Sequence, residues 1–283
     1  MAVRAALVTG ASSGIGRATA LELARAGFTV FAGVRKPEDG EAVQSEAHGE
    51  LEPVLIDVTD PAQIEAAVER IRERTRGRGL TALVNNAGSA HSGAIEFLDL
   101  DNLRHQLEVN LIGHIAVTQA MLPMLRANEG RIVNITSIGG LVATPFMAPY
   151  CASKFALEAV CDCLRTELKP WGIEVIAVEP GSIATDIWDR GVANAEQARE
   201  QMPPEGERLY GEAFDTMARV SAETGERGIP PQEVARVIHK ALTVKRPRAR
   251  YLVGRDAKGM KAGNALLPDK AWDAVVRRTL KLP

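Results

Sequence analysis

Cysteine is scarce in this chain of 283 residues: there are three, too few for a disulfide framework. Cys151, Cys161 and Cys163 lie close together, and the last two, being two apart, point to different faces of a helix. They read as reduced packing residues, so the expected compartment is reducing and the expected location cytoplasmic. Neither sign of charge dominates. Thirty-four Lys and Arg stand against 36 Asp and Glu, for a net charge of -2, and the basic excess of a nucleic-acid binder is missing. No apolar run nears the ~20 residues that a membrane helix needs. Ile173–Val178 and Leu111–Val117 soon stop or carry a Glu or His. No targeting leader is expected either, because Met1 and Ala2 run straight into Val3–Val8 and the first motif begins at Thr9.

What is present has a rhythm. Apolar residues make up 46% and charged residues 25%, the balance of a globular chain rather than a disordered or fibrous one. Short apolar runs recur at Ala5–Val8, Phe28–Ala32, Pro53–Ile56, Ala82–Val84, Ile132–Ile135, Val175–Val178 and Tyr251–Val253. Near-continuous hydrophobicity over so few residues suits strands buried on both faces of a parallel sheet. Helical spacing fills the intervals, as in Ala18–Ala26, Pro61–Arg74, Asn102–Leu125 and Ala152–Leu168. Repeated βα units predict one doubly wound parallel α/β sheet, a Rossmann fold with helices on both faces. The whole of 1–283 is then expected to be one domain.

Two stretches break the pattern. Residues 186–228, rich in Glu and Arg, read as two short helices forming a lid over the sheet edge, with Leu209, Ala213, Met217 and Val220 on one apolar face. Residues 245–283 form a C-terminal extension whose beginning is basic, through Arg246, Arg248, Arg250, Arg255, Lys258 and Lys261, and this reads as solvated surface. The arginines at 70, 72, 74, 76 and 78 straddle a helix end and are expected to complement its negative dipole.

Thr9–Gly16, reading TGASSGIG, follows the first strand and opens a helix. Glycine lets backbone approach a pyrophosphate, and the helix start offers N–H groups and partial positive charge. Gly10, Ser12, Ser13, Gly14, Ile15 and Gly16 are therefore expected to hold a dinucleotide. The second strand ends Val34-Arg35-Lys36 with no acid to meet a free ribose 2′-hydroxyl. Arg35 offers a donor fork for a 2′-phosphate, with Ser12 assisting, so NADP(H) is preferred and NAD(H) remains possible. Asp57 and Val58, closing the third strand, are placed at the adenine. Asn86, Ala87 and Gly88, within Asn85–Gly88 after the fourth strand, are small enough to let the cofactor pass.

Tyr150 and Lys154 are four apart and share a helical face. An ammonium beside a phenol favours the phenolate, which an ordinary tyrosine reaches only near pH ~10. The pair is expected to bring Tyr150 toward neutrality. Ser137 ends the fifth strand and can bond a substrate oxygen. Asn110 sits within a helical segment, an odd place for a poor helix former unless its amide is used. The ordered set of glycine loop, Asn-Asn-Ala-Gly, Asn110, Ser137, Tyr150 and Lys154 falls at the carboxyl edge of the sheet, where open α/β folds bind ligands.

In these motifs the chain resembles the short-chain dehydrogenases/reductases over nearly its whole length, most specifically over Val3–Ile187. Tyr150–Glu158, reading YCASKFALE, and Arg250–Gly254 resemble 17β-hydroxysteroid and retinol dehydrogenase-like members. The resemblance implies a tetrad. In it Tyr150 is the general acid/base, Lys154 holds the nicotinamide ribose and tunes Tyr150, Ser137 orients the substrate oxygen, and Asn110 seats a relay water. It also implies that Pro180, Gly181, Ile183 and Thr185 touch the nicotinamide end, and that the chain is a homodimer or homotetramer. The nearly all-apolar segment Cys151–Leu168 independently asks for a partner helix.

The expected reaction is reversible hydride transfer between a nicotinamide and a hydrophobic ketone or aldehyde of steroid, retinoid or fatty type. His91, Val142, Phe146 and Trp188 are candidate substrate walls beside Ser137 and Tyr150. A β-ketoacyl-carrier-type reductase and a non-catalytic NADP-binding module are the alternatives. The spacing Gly10-x-x-x-Gly14-x-Gly16 differs from the loop of sugar-nucleotide epimerases.

Overall fold

The computed structural model describes residues 4–200 and 202–279. Val3, where the resemblance begins, and the last four residues of the C-terminal extension lie outside them. Seven strands form one parallel sheet: β1 (Ala5–Val8), β2 (Thr29–Val34), β3 (Leu51–Leu55), β4 (Ala82–Asn85), β5 (Arg131–Ile135), β6 (Glu174–Pro180) and β7 (Arg250–Val253). Their spatial order is β3-β2-β1-β4-β5-β6-β7. Leu7 of β1 pairs with Phe31 on one side and Leu83 on the other. Every residue of β1 and β4 is buried, as their unbroken hydrophobicity requires.

The helices are α1 (Gly14–Arg25), α2 (Pro37–Ser45), α3 (Pro61–Arg74), α4 (Leu100–Leu107), α5 (Gly113–Arg126), α6 (Ala148–Glu167), α7 (Ile187–Glu200), α8 (Pro204–Glu226), α9 (Pro231–Thr243), α10 (Arg255–Leu266) and α11 (Asp269–Thr279). α1 and α9 cover one face of the sheet over Leu23, Val30, Ile176 and Ile238. α3, α5 and α6 cover the other over Leu7, Ile71, Met121, Ile132 and Leu157. Among the described residues no helix is long and apolar enough to cross a membrane.

Local chemistry explains the boundaries. Asp60 caps α3 by accepting from the Ala62 and Gln63 N–H groups at 2.9 and 3.3 Å, and Pro61 supplies the first helical residue. The arginines at its far end do more than oppose a dipole. Arg70 and Arg74 reach across to Glu52 of β3 at 2.6 and 2.5 Å, pinning the helix to the edge strand. The helix expected over Asn102–Leu125 exists but is not uniform: a π turn over Glu108–Ile112 separates α4 from α5.

Residues 186–228 differ from expectation in helix length and in buried face. α8 alone runs 23 residues, because one long helix spans the gap between α7 and the return to the sheet. The two ends of the insert are stitched at its base by Ala184 N–H to the Ile229 carbonyl and Ile229 N–H to the Ser182 carbonyl, both 3.0 Å. Ala213 is buried and Met217 and Val220 are half-buried, but Leu209 is exposed. Gly206, Phe214 and Thr216 share the buried side instead. In the basic tail, Arg250 departs from the solvated reading: it lies half-buried between Glu158, Asp162 and Glu179.

Candidate active site

The strand order turns at β1 and β4, so their carboxyl ends diverge into opposite loops and leave a crevice. The glycine loop sits at its start. Gly10 and Gly14 have φ of 64° and 54°, backbone that side-chain-bearing residues rarely adopt. A Cβ on Gly10 would stand 2.8 Å from the Ala87 Cα, and one on Gly14 would stand 3.0 Å from the Thr185 methyl. The loop thus faces the Pro180–Thr185 segment at a contact only glycine permits. Ser13 precedes α1 in extended backbone, and its side chain does not cap the helix. A left-handed glycine ahead of the helix and another at its first residue suit a pyrophosphate.

The loop is held by its neighbours. Thr9 Oγ1 accepts from the N–H groups of Asn86 and Ala87 at 3.0 and 3.1 Å. The Asn86 amide donates to the Thr9 and Gly10 carbonyls at 2.9 and 3.0 Å. Asn86 therefore shapes the cradle with its side chain rather than lining it. Ile15 packs its side chain on the core beside α1, which leaves its backbone for a ligand. Arg35 is exposed one residue past β2, with no acid at the strand end. Asp57 bonds the Thr59 N–H and hydroxyl at 2.9 and 2.7 Å. Burial pushes its carboxyl up, but these bonds, with the Arg35 and His105 charges, hold it below the usual value. Val58 is buried under Gly113, and Gly88 lies beside the Asn110 amide.

The proposed tetrad converges past β5. Ser137 Oγ accepts from Gly139 N–H at 3.0 Å, and a Cβ on Gly139 would stand 3.1 Å from the ring of Tyr150, in the first turn of α6, and 3.5 Å from Ser137 Oγ, so the two side chains flank one point. One turn on, Lys154 donates from Nζ to the Ile135 carbonyl at 2.9 Å and stands 5.9 Å from the Tyr150 ring centre. The side chains share the face their spacing predicted, but the expected acidity does not follow from the pair. Burial pushes Tyr150 up to about 12, against the Ser137 hydroxyl that lowers it, and pushes Lys154 down to about 8. Desolvation of both groups outweighs one ammonium at this distance.

Asn110 occupies the π turn and is fully buried. Its Oδ1 accepts from Ser89 N–H at 2.9 Å, and its Nδ2 donates to the Ser89 carbonyl at 3.0 Å and Ser153 Oγ at 3.2 Å. The amide ties the loop after β4 to α6. Sequence reasoning missed His114, one turn later. Its ring meets the Ala87 carbonyl at 2.6 Å, and burial followed by the Lys154 charge pushes it down to about 3. The ring is neutral, with Nε2–H donating. Also missed was the buried chain from Thr118 through Asn85 and Asn134 to Cys161 Sγ, with links of 2.9, 2.8 and 3.1 Å. Its one signal was an Asn inside the apolar run of β5.

The expected substrate walls separate. Val142 is only 2% exposed and belongs to the packing. Trp188 commits Nε1 to the Ile183 carbonyl at 2.7 Å and sets its ring against Gly225, tying α7 to the base of the insert. Pro180 ends β6; Gly181 and Ser182 N–H groups are taken by Val253 O and Asp256 at 2.8 and 2.7 Å, and Ile183 is buried. His91 is held by its N–H to Gln106 Oε1 at 2.7 Å, its ring edge-on to His105. Phe146 packs against the insert. At a left-handed φ of 64°, it places its ring 5.4 Å from Phe214 and 6.2 Å from Tyr210 of α8. Phe97 completes this unpredicted aromatic group, and the Tyr210 hydroxyl donates to Glu96 at 2.8 Å. A cleft of about 420 Å³ opens against Phe97 and Phe214; its lining includes none of Ser137, Tyr150 and Lys154.

Residues 4–196 match the family described as short chain dehydrogenase. The chain belongs to that family. Short-chain dehydrogenases act on alcohol and carbonyl groups and bind NAD(P). The chain is similar to an NADPH-dependent 3-dehydrocapnine reductase of Ornithobacterium rhinotracheale, 36% identical over 99% of this chain and 98% of that one. It is 39% identical to retinol dehydrogenase 5 of Mus musculus, over 98% of this chain and 88% of that one. A solved short-chain dehydrogenase from Streptomyces avermitilis superposes with a TM-score of 0.78 at 29% identity, covering 99% of both chains. The resemblance to retinol dehydrogenase-like members therefore holds along the full length, C-terminal extension included.

Proposed function

We propose that this chain is an NADP(H)-dependent oxidoreductase interconverting a hydrophobic ketone or aldehyde with its alcohol, using Tyr150 as the proton donor and acceptor. The observation that carries the reading is the convergence of Ser137 and Tyr150 beside Gly139, with Lys154 one turn away, past the carboxyl ends of the strands that also carry the glycine loop. When bound, a nicotinamide supplies the carbon that gives or takes hydride. The residues do the rest. Ser137 fixes the substrate oxygen. Tyr150 is protonated at neutral pH, so it is ready to hand a proton to that oxygen in reduction. Lys154 and Thr185 fit the ribose and nicotinamide end, and Gly10–Gly16 fit the pyrophosphate.

NADP over NAD is supported by Arg35 where an acid would otherwise stand, and by the reductase whose name specifies NADPH. A hydrophobic substrate is supported by Phe146, Tyr210 and Phe214, and by a relative named for retinol. Residues 186–228 serve as the lid of the same domain: Asn194 of α7 donates to the Ala90 carbonyl at 2.8 Å, and Tyr210 holds Glu96. The free cysteines suit a reducing, cytoplasmic setting. A panel of retinoid, steroid and long-chain aliphatic carbonyls, followed at 340 nm with NADPH and with NADH, tests the reading. Consumption of NADPH on one of these classes is expected; a strong NADH preference overturns the role of Arg35.

A further inference from the structure

Lys154 is 5% exposed, an ammonium carried into the protein interior. Burial alone favours its neutral form. Its surroundings come from three elements. His114 of α5 is neutral, because burial and then the Lys154 charge lower its pKa and outweigh its bond to the Ala87 carbonyl, which raises it. The Ile135 carbonyl of β5 accepts one proton of the ammonium. On α6 stand Tyr150, Glu158 and Cys161. Burial pushes the Cys161 thiol up to about 12, so it brings no charge at neutral pH.

That leaves Glu158, one turn beyond Lys154 and 6% exposed. Its Oε2 accepts from Arg250 Nε of β7 at 3.0 Å; its Oε1 is buried without a hydrogen-bond partner. Arg250 also donates to Asp162 at 2.8 Å and stands 3.2 Å from Glu179 of β6, which Lys261 of α10 approaches at 3.9 Å. Lys154 and Glu158 thus follow one another on α6 with opposite sign, and Arg250 joins Glu158 to the Asp162 carboxylate and to Glu179, whose carboxyl burial pushes up toward its neutral form. A buried ion pair is a poor stabiliser compared with apolar packing of the same volume. Beside a buried ammonium, however, it supplies what apolar packing does not.

We propose that Glu158 is a positioning residue for proton transfer at Tyr150: its carboxylate, braced by Arg250, supplies the countercharge that keeps the Lys154 ammonium charged. The inference rests on the reading of Tyr150 given above. Glu158 acts through Lys154 and touches no reacting atom.

The test is a carbon-13 NMR titration of ε-labelled lysine in the full chain without cofactor, with the Lys154 signal assigned by its loss in Lys154→Arg. In Glu158→Gln the Lys154 midpoint falls by about one pH unit from the wild-type value near 8. Glu158→Asp restores most of the difference, and Asp162→Asn, which leaves the Glu158–Arg250 bond, moves it little. The alkaline limb of kcat/KM for NADPH with all-trans-retinal as probe shifts in the same direction. Should Glu158→Gln not fold, the double variant Glu158→Gln/Arg250→Gln removes both charges of the pair and is held to the same shift. A folded variant whose Lys154 midpoint and alkaline limb coincide with wild type overturns the proposal. Tyr150→Phe, run alongside, separates the two readings. Turnover surviving there overturns the Tyr150 mechanism; turnover lost there, with an unmoved Lys154 midpoint in Glu158→Gln, overturns the Glu158 role alone.

Discussion

Single side chains at this site are governed by burial before they are governed by charge. Tyr150 and Lys154 stand where four-residue spacing puts them, yet desolvation moves their proton affinities toward their neutral forms. His114 shows the same rule with a consequence for stability. Its folded value near 3 lies below the unfolded 6.5, so between those limits the unfolded chain binds more protons. Stability is therefore lost as pH falls from 6.5 toward 3, by about 2 kcal/mol at pH 5 from this one group. Urea melts at pH 7 and pH 5 check it: His114→Gln, which keeps a donor for Ala87, should narrow the gap between the two, and an unchanged gap contradicts it. Arg35 offers a second test. Arg35→Ala should raise KM for NADPH by roughly 10- to 100-fold, the loss of a charged hydrogen bond of ~1.5–3 kcal/mol, and barely alter KM for NADH. The shared face of Tyr150 and Lys154 was legible because four-residue spacing fixes it, and the acid-free end of β2 at Arg35 because the residues themselves spell it. Val142 and Trp188 were not, since an apolar residue in a loop reads the same whether it faces a cleft or its own packing.

At the scale of elements, βα units are legible because a strand buried on both faces must be apolar throughout, and α3 is announced by Asp60-Pro61. The π turn at Glu108–Ile112 is not. It depends on one residue more per turn, and apolar periodicity is too coarse to register that. Asn110 was the residue out of place in the pattern, and the structure gives the reason: the turn aims its amide at Ser89 and Ser153. Replacing Asn110 with Leu would leave the half-buried Ser89 N–H unpaired, while the Ser89 carbonyl keeps its bond from Gln106 Nε2 at 2.7 Å, at a cost of about 1–3 kcal/mol. A Tm unchanged in Asn110→Leu would show that the amide does not brace the turn. The length of α8 was equally hidden, because its exposed face is polar and its buried face is set by Phe97 and Phe146, which lie far away in sequence.

Among the described residues, apolar side chains stand exposed beside α5 and on α6. Ile112 beside α5 and Phe155 on α6 are 47% and 44% exposed, near the exposed Ala152 and Ala159. We read this surface as the contact of a homodimer or of one interface in a homotetramer. Light scattering after gel filtration should show two or four copies at micromolar concentration, and Ile112→Glu with Phe155→Glu should lower the mass; a monomeric wild type contradicts the reading. The central claim concerns one phenolic oxygen, and a single comparison addresses it most directly. NADPH oxidation at 340 nm is measured for wild type and Tyr150→Phe on the best carbonyl of the panel, with NADPH binding followed by its fluorescence. The account predicts turnover lower by at least about 100-fold, within the usual reach of general acid catalysis, with NADPH affinity nearly unchanged. Turnover within a factor of a few of wild type would contradict it.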